Sequence, residues 1–300
     1  MSKRGGRNRP PRLDDYPPRA MPPPATAQKP RQRDGARRVS GAVVPRGPAE
    51  VAEAVRRLVA GDRDARFGLD LRDVSRAETE AAMAAVWGWE PEPSRFALDP
   101  SRTLDAAREL GARLRAAGDA GERVALATAR PASFLPPLAR LAAAVAEAGA
   151  VIVDVGAFGP VDPERRPRRW LWWHGGVAAV SDGEQLLADE SIEAADEWLF
   201  AVGRPGLVVA DHAFAGLAAQ AGLDTWALAD LDAPALAVAA RRDAPLRVVP
   251  VEDRCPPQAF DPLVDAALQQ AQGPQPASGP HAASGPHSTT GVDGTYAPAD

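Results

Sequence analysis

The alternation over residues 206–253 limits the possible folds more than any other feature of this chain. GLVVAD (206–211), LDTWALAD (223–230) and PLRVVPVED (245–253) read as buried strands, and HAFAGLAAQAG (212–222) and LDAPALAVAARR (231–242) between them read as helices. A strand, a crossover helix and another strand build a parallel sheet with helices on its faces. The pattern begins earlier, with a strand in RVALATARP (123–131), a helix opening near Ser133 and running to about Ala148, and a strand in GAVIVDV (149–155). The expectation is an α/β fold, Rossmann-like and three-layered, with a mostly parallel sheet.

The preceding segments are helical. PAEVAEAVRRLVA (48–60), SRAETEAAMAAVWG (75–88) and residues 101–117 carry apolar residues at helical spacing, and Ser75 with Glu78 makes a capping box. FGLDL (67–71) reads as a short strand or extended segment. Between the two α/β runs, WLWWHGGVAAVSDGEQLLAD (170–189) has the pattern of strands joined by Gly175-Gly176 and Asp182-Gly183 turns. ESIEAADEWLFAVG (190–203) reads as a helix.

Residues 1–47 hold twelve Lys and Arg against three acids, with many prolines, and residues 271–300 are rich in Gly, Pro, Ser and Thr. Neither composition buries enough apolar surface to offset its ordering entropy, so both read as disordered flanks of one domain over 48–270. The whole chain is −5, so the domain between the flanks is acidic. Such a domain offers nucleic acid no folded basic platform, and only weak binding through the arm is expected. RRPRRWLWW (165–173) mixes Arg with Trp and reads as a loop leading into a strand, with base stacking as the alternative. A single cysteine, Cys255, allows no internal disulfide, and no apolar run of about 18 residues is present. A soluble cytoplasmic protein without membrane contact is expected.

Each of the three strands over 206–253 ends in aspartate, at Asp211, Asp230 and Asp253, and His212 follows the first. Ligands of parallel α/β sheets sit beyond the strands' carboxyl ends, and hard oxygen ligands suit Mg²⁺ or Mn²⁺. Asp211, Asp230 and Asp232 are therefore the expected metal set, with Asp211, His212 and His174 as catalytic candidates. For each aspartate the alternative is a helix N-cap, and Asp232 before Ala233-Pro234 suits that role. At the other end of the domain, Thr128, Arg130 and Ser133 form a candidate anion clamp of hydroxyls, guanidinium and helix N-terminus.

Walker A, GxGxxG and HExxH motifs are absent, so nothing points to an ATPase, a dinucleotide enzyme or a zincin. Cys255 lies outside any phosphate-cradling loop. Asp230-x-Asp232 resembles the aspartate-nucleophile pair of haloacid dehalogenase-type phosphatases, but Pro234 stands where that motif has Thr or Val.

ALATARPASFLPPL, WWHGG, VVADHAFAG, ADLDAPAL and VVPVED, in this order over about residues 49–266, resemble a family of bacterial proteins named phosphatase and common in high-GC Gram-positive bacteria. The resemblance implies hydrolysis of a phosphorylated small molecule, and it carries Thr128, Arg130, His174, Asp211, His212, Asp230, Asp232 and Asp253 as the matching polar residues. Where the family commonly has Gly-His and His-x-His, this chain reads Ala129-Arg130 and Trp172-Trp173-His174, two imidazoles fewer. A non-catalytic protein that binds a nucleotide or phosphorylated metabolite is the alternative.

Overall fold

The computed structural model describes residues 47–89, 98–162, 164 and 168–272. The basic arm, the C-terminal tail and the arginine run at 165–167 lie outside them. Three helices come first: α1 (Pro48–Val59), α2 (Arg76–Trp87) and α3 (Pro100–Asp119). Then follow β1 (Arg123–Ala127), α4 (Pro131–Glu147), β2 (Val151–Ile152), β3 (Ala157–Val161), β4 (Arg169–His174), β5 (Val177–Ser181) and β6 (Leu186–Leu187). The chain closes with α5 (Ile192–Val202), β7 (Leu207–Asp211), α6 (His212–Gln220), β8 (Thr225–Ala229), α7 (Pro234–Arg241), β9 (Leu246–Pro250) and α8 (Asp261–Gln272).

All the strands join one sheet in the order β3-β4-β5-β1-β7-β8-β9, with β2 beside β1 and β6 beside β5. β1, β2, β5, β7, β8 and β9 pair in parallel, and β3, β4, β5 and β6 pair antiparallel. The fold is thus α/β with a mostly parallel sheet. β7 and β8 are buried at every residue, because helices cover both faces. On one face Val55, Met83, Trp87, Trp198, Phe214 and Leu236 of α1, α2, α5, α6 and α7 form a core. On the other, Leu110, Leu114, Leu138, Leu141 and Val264 of α3, α4 and α8 form a second.

Several local expectations change. β2 is only two residues long: Asp154 accepts from the Gly156 amide at 2.8 Å and turns the chain away, and β5 takes the rest of that edge of β1. FGLDL is no strand; it follows a 3₁₀ turn at Asp64–Arg66, and Phe67 takes a left-handed φ of 51°. α4 begins at Pro131, not Ser133, because proline is preset for the first helical position. Ser133 therefore lies inside the first turn, its amide bonded to the Arg130 carbonyl. Ala233, not Asp232, is the N-cap of α7.

Two glycines set inter-element distances. A Cβ on Gly216 in α6 would stand 2.1 Å from the Phe67 carbonyl oxygen, and one on Gly111 in α3 would stand 2.1 Å from that of Ala267 in α8. Trp87 of α2 donates its indole N–H to the Ala229 carbonyl at 3.0 Å, tying that helix to the end of β8.

In the parallel part, β1 leads through α4 to β2 on one side, whereas β7, β8 and β9 add in turn on the other. The winding direction reverses between β1 and β7, which is where doubly wound folds place ligands.

Candidate functional site

Three short segments after β1, β7 and β8, with Asp253 after β9, meet at the sheet's carboxyl edge. At the switch point Asp211 is fully buried and bridges the two strands. Its Oδ2 accepts from the Thr128 hydroxyl at 2.6 Å, and its Oδ1 accepts from the Ala129 amide at 2.6 Å. Thr128 Oγ1 accepts in turn from the Arg130 amide at 2.9 Å. Asp211 stands at the N-cap position of α6 without capping it, since its oxygens are committed across the strands.

This bridge fixes the start of the loop that carries Arg130. The guanidinium meets Glu190 through Nη2, which also lies 3.9 Å from Asp232, while Nε lies 3.3 Å from Asp253. Glu190 is held in place from both sides. The Asp189 amide donates to the Ala129 carbonyl at 3.0 Å, and the Asp189 carboxylate pairs with buried Arg169 and accepts from the Ser191 amide.

His212 faces the same carboxylates and is 1 % exposed. Its Nε2 lies 3.6 Å from Glu190, 3.6 Å from Asp253 and 4.0 Å from Asp232, and its Nδ1 lies 3.7 Å from Asp211. Neither ring nitrogen has an acceptor within ordinary hydrogen-bond distance, and the carboxylates around the ring stand 3.6–4.0 Å away. Burial by itself would strip its proton, but Asp211 and Asp232 outweigh burial and hold its pKa well above the ordinary value. The ring packs edge-on against Phe67, with centroids 5.4 Å apart. His212 also has a φ of 44°, a left-handed conformation that a non-glycine residue adopts at a cost of about 1–3 kcal/mol and that collects at functional sites.

His212, Asp232 and Asp253 each offer a ligand atom within 4.8 Å of the others, a group able to hold a metal ion. Asp230 is not among them. It is 2 % exposed and turned toward backbone, accepting from the Leu231 amide at 2.6 Å and the Asp253 amide at 3.4 Å. A cavity of about 620 Å³ opens beside the group, with Glu190 and Asp232 in its wall and Phe67 under it. Glu50, Glu53, Asp64 and Glu193 line the remainder against Arg57, so the approach is strongly acidic.

The expected site residues are thus divided. Thr128, Arg130, Asp211, His212 and Asp232 come together, and Asp230 braces the loops beneath them. Ser133 lies in the first turn of α4, where its amide already bonds the Arg130 carbonyl. His174 is exposed at the end of β4 and stacks beside Trp172. The turn after it packs on α4, where Gly175 approaches Ala139 and Gly176 approaches Ala142, and β5 then starts opposite Leu126. His174 is therefore not brought to this group. Glu190 is the residue the sequence reading passed over. It lies between the acid Asp189 and the helix cap Ser191, and only the surrounding contacts single it out.

Fold and site together define a doubly wound α/β protein with a buried imidazole and converging carboxylates at its switch point. The chain belongs to the Phosphatase family, whose model matches residues 29–275. It is similar to Phosphatase SCO2771 of Streptomyces coelicolor, with 33% identity over 230 residues, 72% of this chain and 85% of that protein. The resemblance drawn from the motifs is borne out in both family and bacterial group. Comparison with solved structures returns no match.

Proposed function

We propose that the protein hydrolyses a phosphate ester of a small molecule at the β1–β7 switch point with the help of a divalent cation. The observation that carries this reading is His212, buried, with its Nε2 short of a hydrogen-bond partner and facing Asp232 and Asp253. Two carboxylates and one imidazole, the last giving up its proton as a cation enters, would suit Mn²⁺, and the oxygens alone would suit Mg²⁺. Bound there, such a cation offsets charge on the phosphoryl oxygens and acidifies water.

The chain's own residues do the rest. Asp211 holds the β1 loop so that Arg130 stands at the mouth of the group, where its fork matches two phosphate oxygens. Glu190 lies in the cavity wall within 3.6 Å of His212, placed to take a proton from water or return one to the leaving oxygen. Phe67 and the packed α6 close the inner side to bulk water. Among the described residues no helix is long and apolar enough to cross a membrane, and the single buried cysteine suits a cytoplasmic setting.

The test is phosphate release from a panel of phosphorylated metabolites with and without Mn²⁺ or Mg²⁺. Turnover that requires metal and falls at least about a hundredfold in Asp253→Asn supports the hydrolase. Absence of release from every compound would overturn it and leave a binding protein using the same crevice. The observation favouring that second reading is that Arg130 already neutralises part of the cluster.

A further inference from the structure

The carboxylates proposed to hold metal are the ones that Arg130 now occupies. Its guanidinium lies against Asp232 and Asp253, two of the three candidate ligands, and against Glu190 beside them. His212 Nε2 faces the same three acids, so a guanidinium and a divalent cation would compete for the same carboxylate oxygens. We infer that Arg130 and the divalent cation are alternative occupants of this pocket, so that metal binding displaces the Arg130 side chain toward the 620 Å³ cavity. The inference rests on reading His212, Asp232 and Asp253 as the metal set, and it adds how that set is regulated.

Three features support the exchange. The Arg130 backbone is held by the hydrogen bond that its amide donates to Thr128 Oγ1, so only the side chain has to move. That side chain is 31 % exposed while its partner Asp253 is 1 % exposed, so the guanidinium plugs a buried carboxylate from the solvent side. The cavity into which it would swing shares Glu190 and Asp232 with the pocket, so the path is one of side-chain rotation along the same wall. Released there, the guanidinium can meet a phosphate that the acidic wall alone would repel. Metal loading and phosphate capture thereby become one event: the cation that enters frees the residue that binds the anion.

The experiment measures Mn²⁺ affinity by calorimetry and by Mn²⁺ paramagnetic resonance on the full chain, comparing wild type, Arg130→Gln and Arg56→Gln. Arg56 pairs with Glu53 at the surface and controls for loss of one positive charge. Arg130→Gln is expected to bind Mn²⁺ at least tenfold more tightly than wild type, and Arg56→Gln to match wild type. Equal affinities in all three, or a gain of the same size in Arg56→Gln, would overturn the exchange while leaving the metal set standing. Absence of Mn²⁺ binding by both wild type and Arg130→Gln would overturn both. Should Arg130→Gln fail to fold, wild type still decides: modification of Arg130 by phenylglyoxal, read by mass spectrometry, must accelerate when Mn²⁺ is added. An unchanged or slower rate refutes the displacement.

Discussion

Replacing Gly216 with alanine sets two effects against each other, and the structure decides which prevails. In an open helix the change would stabilise by about 1 kcal/mol, because alanine is the better helix former. Here the new Cβ would meet the Phe67 carbonyl oxygen at 2.1 Å and its Cβ at 2.9 Å. A backbone carbonyl cannot rotate away, so α6 and the Phe67 segment must separate by about 1 Å, an overpacking strain near the upper end of roughly 1–3 kcal/mol. The net expectation is a loss of about 2 kcal/mol, which for a domain of this size lowers Tm by about 4–8 °C. Gly111→Ala is the internal control. It makes a contact of the same length with the Ala267 carbonyl, but in the layer on the other side of the sheet. Both variants should lose similar stability in urea, and only Gly216→Ala, whose helix carries His212, should also lose Mn²⁺ affinity. A Gly216→Ala protein as stable as wild type, or more so, would refute the close approach of α6 to Phe67.

Three further outcomes are expected. Asp211→Asn leaves the Thr128 hydroxyl or the Ala129 amide facing an amide group instead of a carboxylate oxygen. It should lower unfolding free energy by about 1–3 kcal/mol, and an unchanged urea midpoint would contradict the bridge. Trp87→Phe removes the indole bond to Ala229 and part of a buried ring, with a loss of about 2 kcal/mol expected from thermal and chemical unfolding. Burial pushes the Cys255 thiol up to about 11 from 9.0, with Glu252 and Asp230 adding to it, so Ellman's reagent at pH 8 should react slowly with the native protein and fast in denaturant. The unfolded thiol ionises near 9 and the folded one near 11. Its contribution to stability is therefore complete below pH 9 and lost between 9 and 11, and wild type should lose more stability than Cys255→Ser across that window.

The strand and helix alternation over 123–253 was legible because each strand is a short apolar run closed by a turn signal, and burial on both faces demands such runs. Legibility failed where a tertiary neighbour decided. β2 stops at Ile152 because β5 claims the same edge of β1, and no local pattern announces that. The aspartates at the strand ends could be read from the chain, but their division of labour could not. Strand order sets Asp253 beside His212, and the amides of Leu231 and Asp253 turn Asp230 inward. The capping alternative fails at Asp211 for the same reason, since Thr128 and Ala129 are remote in sequence. His174 stood out as an imidazole between aromatic and glycine residues, yet the register of β5 on β1 sets its turn against α4. Glu190 left no mark, because an acid ahead of a helix cap is ordinary and its meaning comes from Arg130 and His212.

The Asp211 bridge also bears on how fast this site works. Many α/β proteins admit ligands through loops that part at the switch point, a motion of microseconds to milliseconds. Here the carboxylate welds the ends of β1 and β7 together through Thr128 and Ala129. The Ala129 amide proton should therefore exchange with solvent only when the sheet itself comes apart, and its exchange rate should report global opening. With this stretch of backbone held, the response to an incoming ligand falls to the Arg130 side chain, which must first leave its ion pairs with Glu190 and Asp253. Ligand arrival would then be limited by diffusion into an acidic cleft, by salt and by release of that side chain, not by the parting of backbone loops.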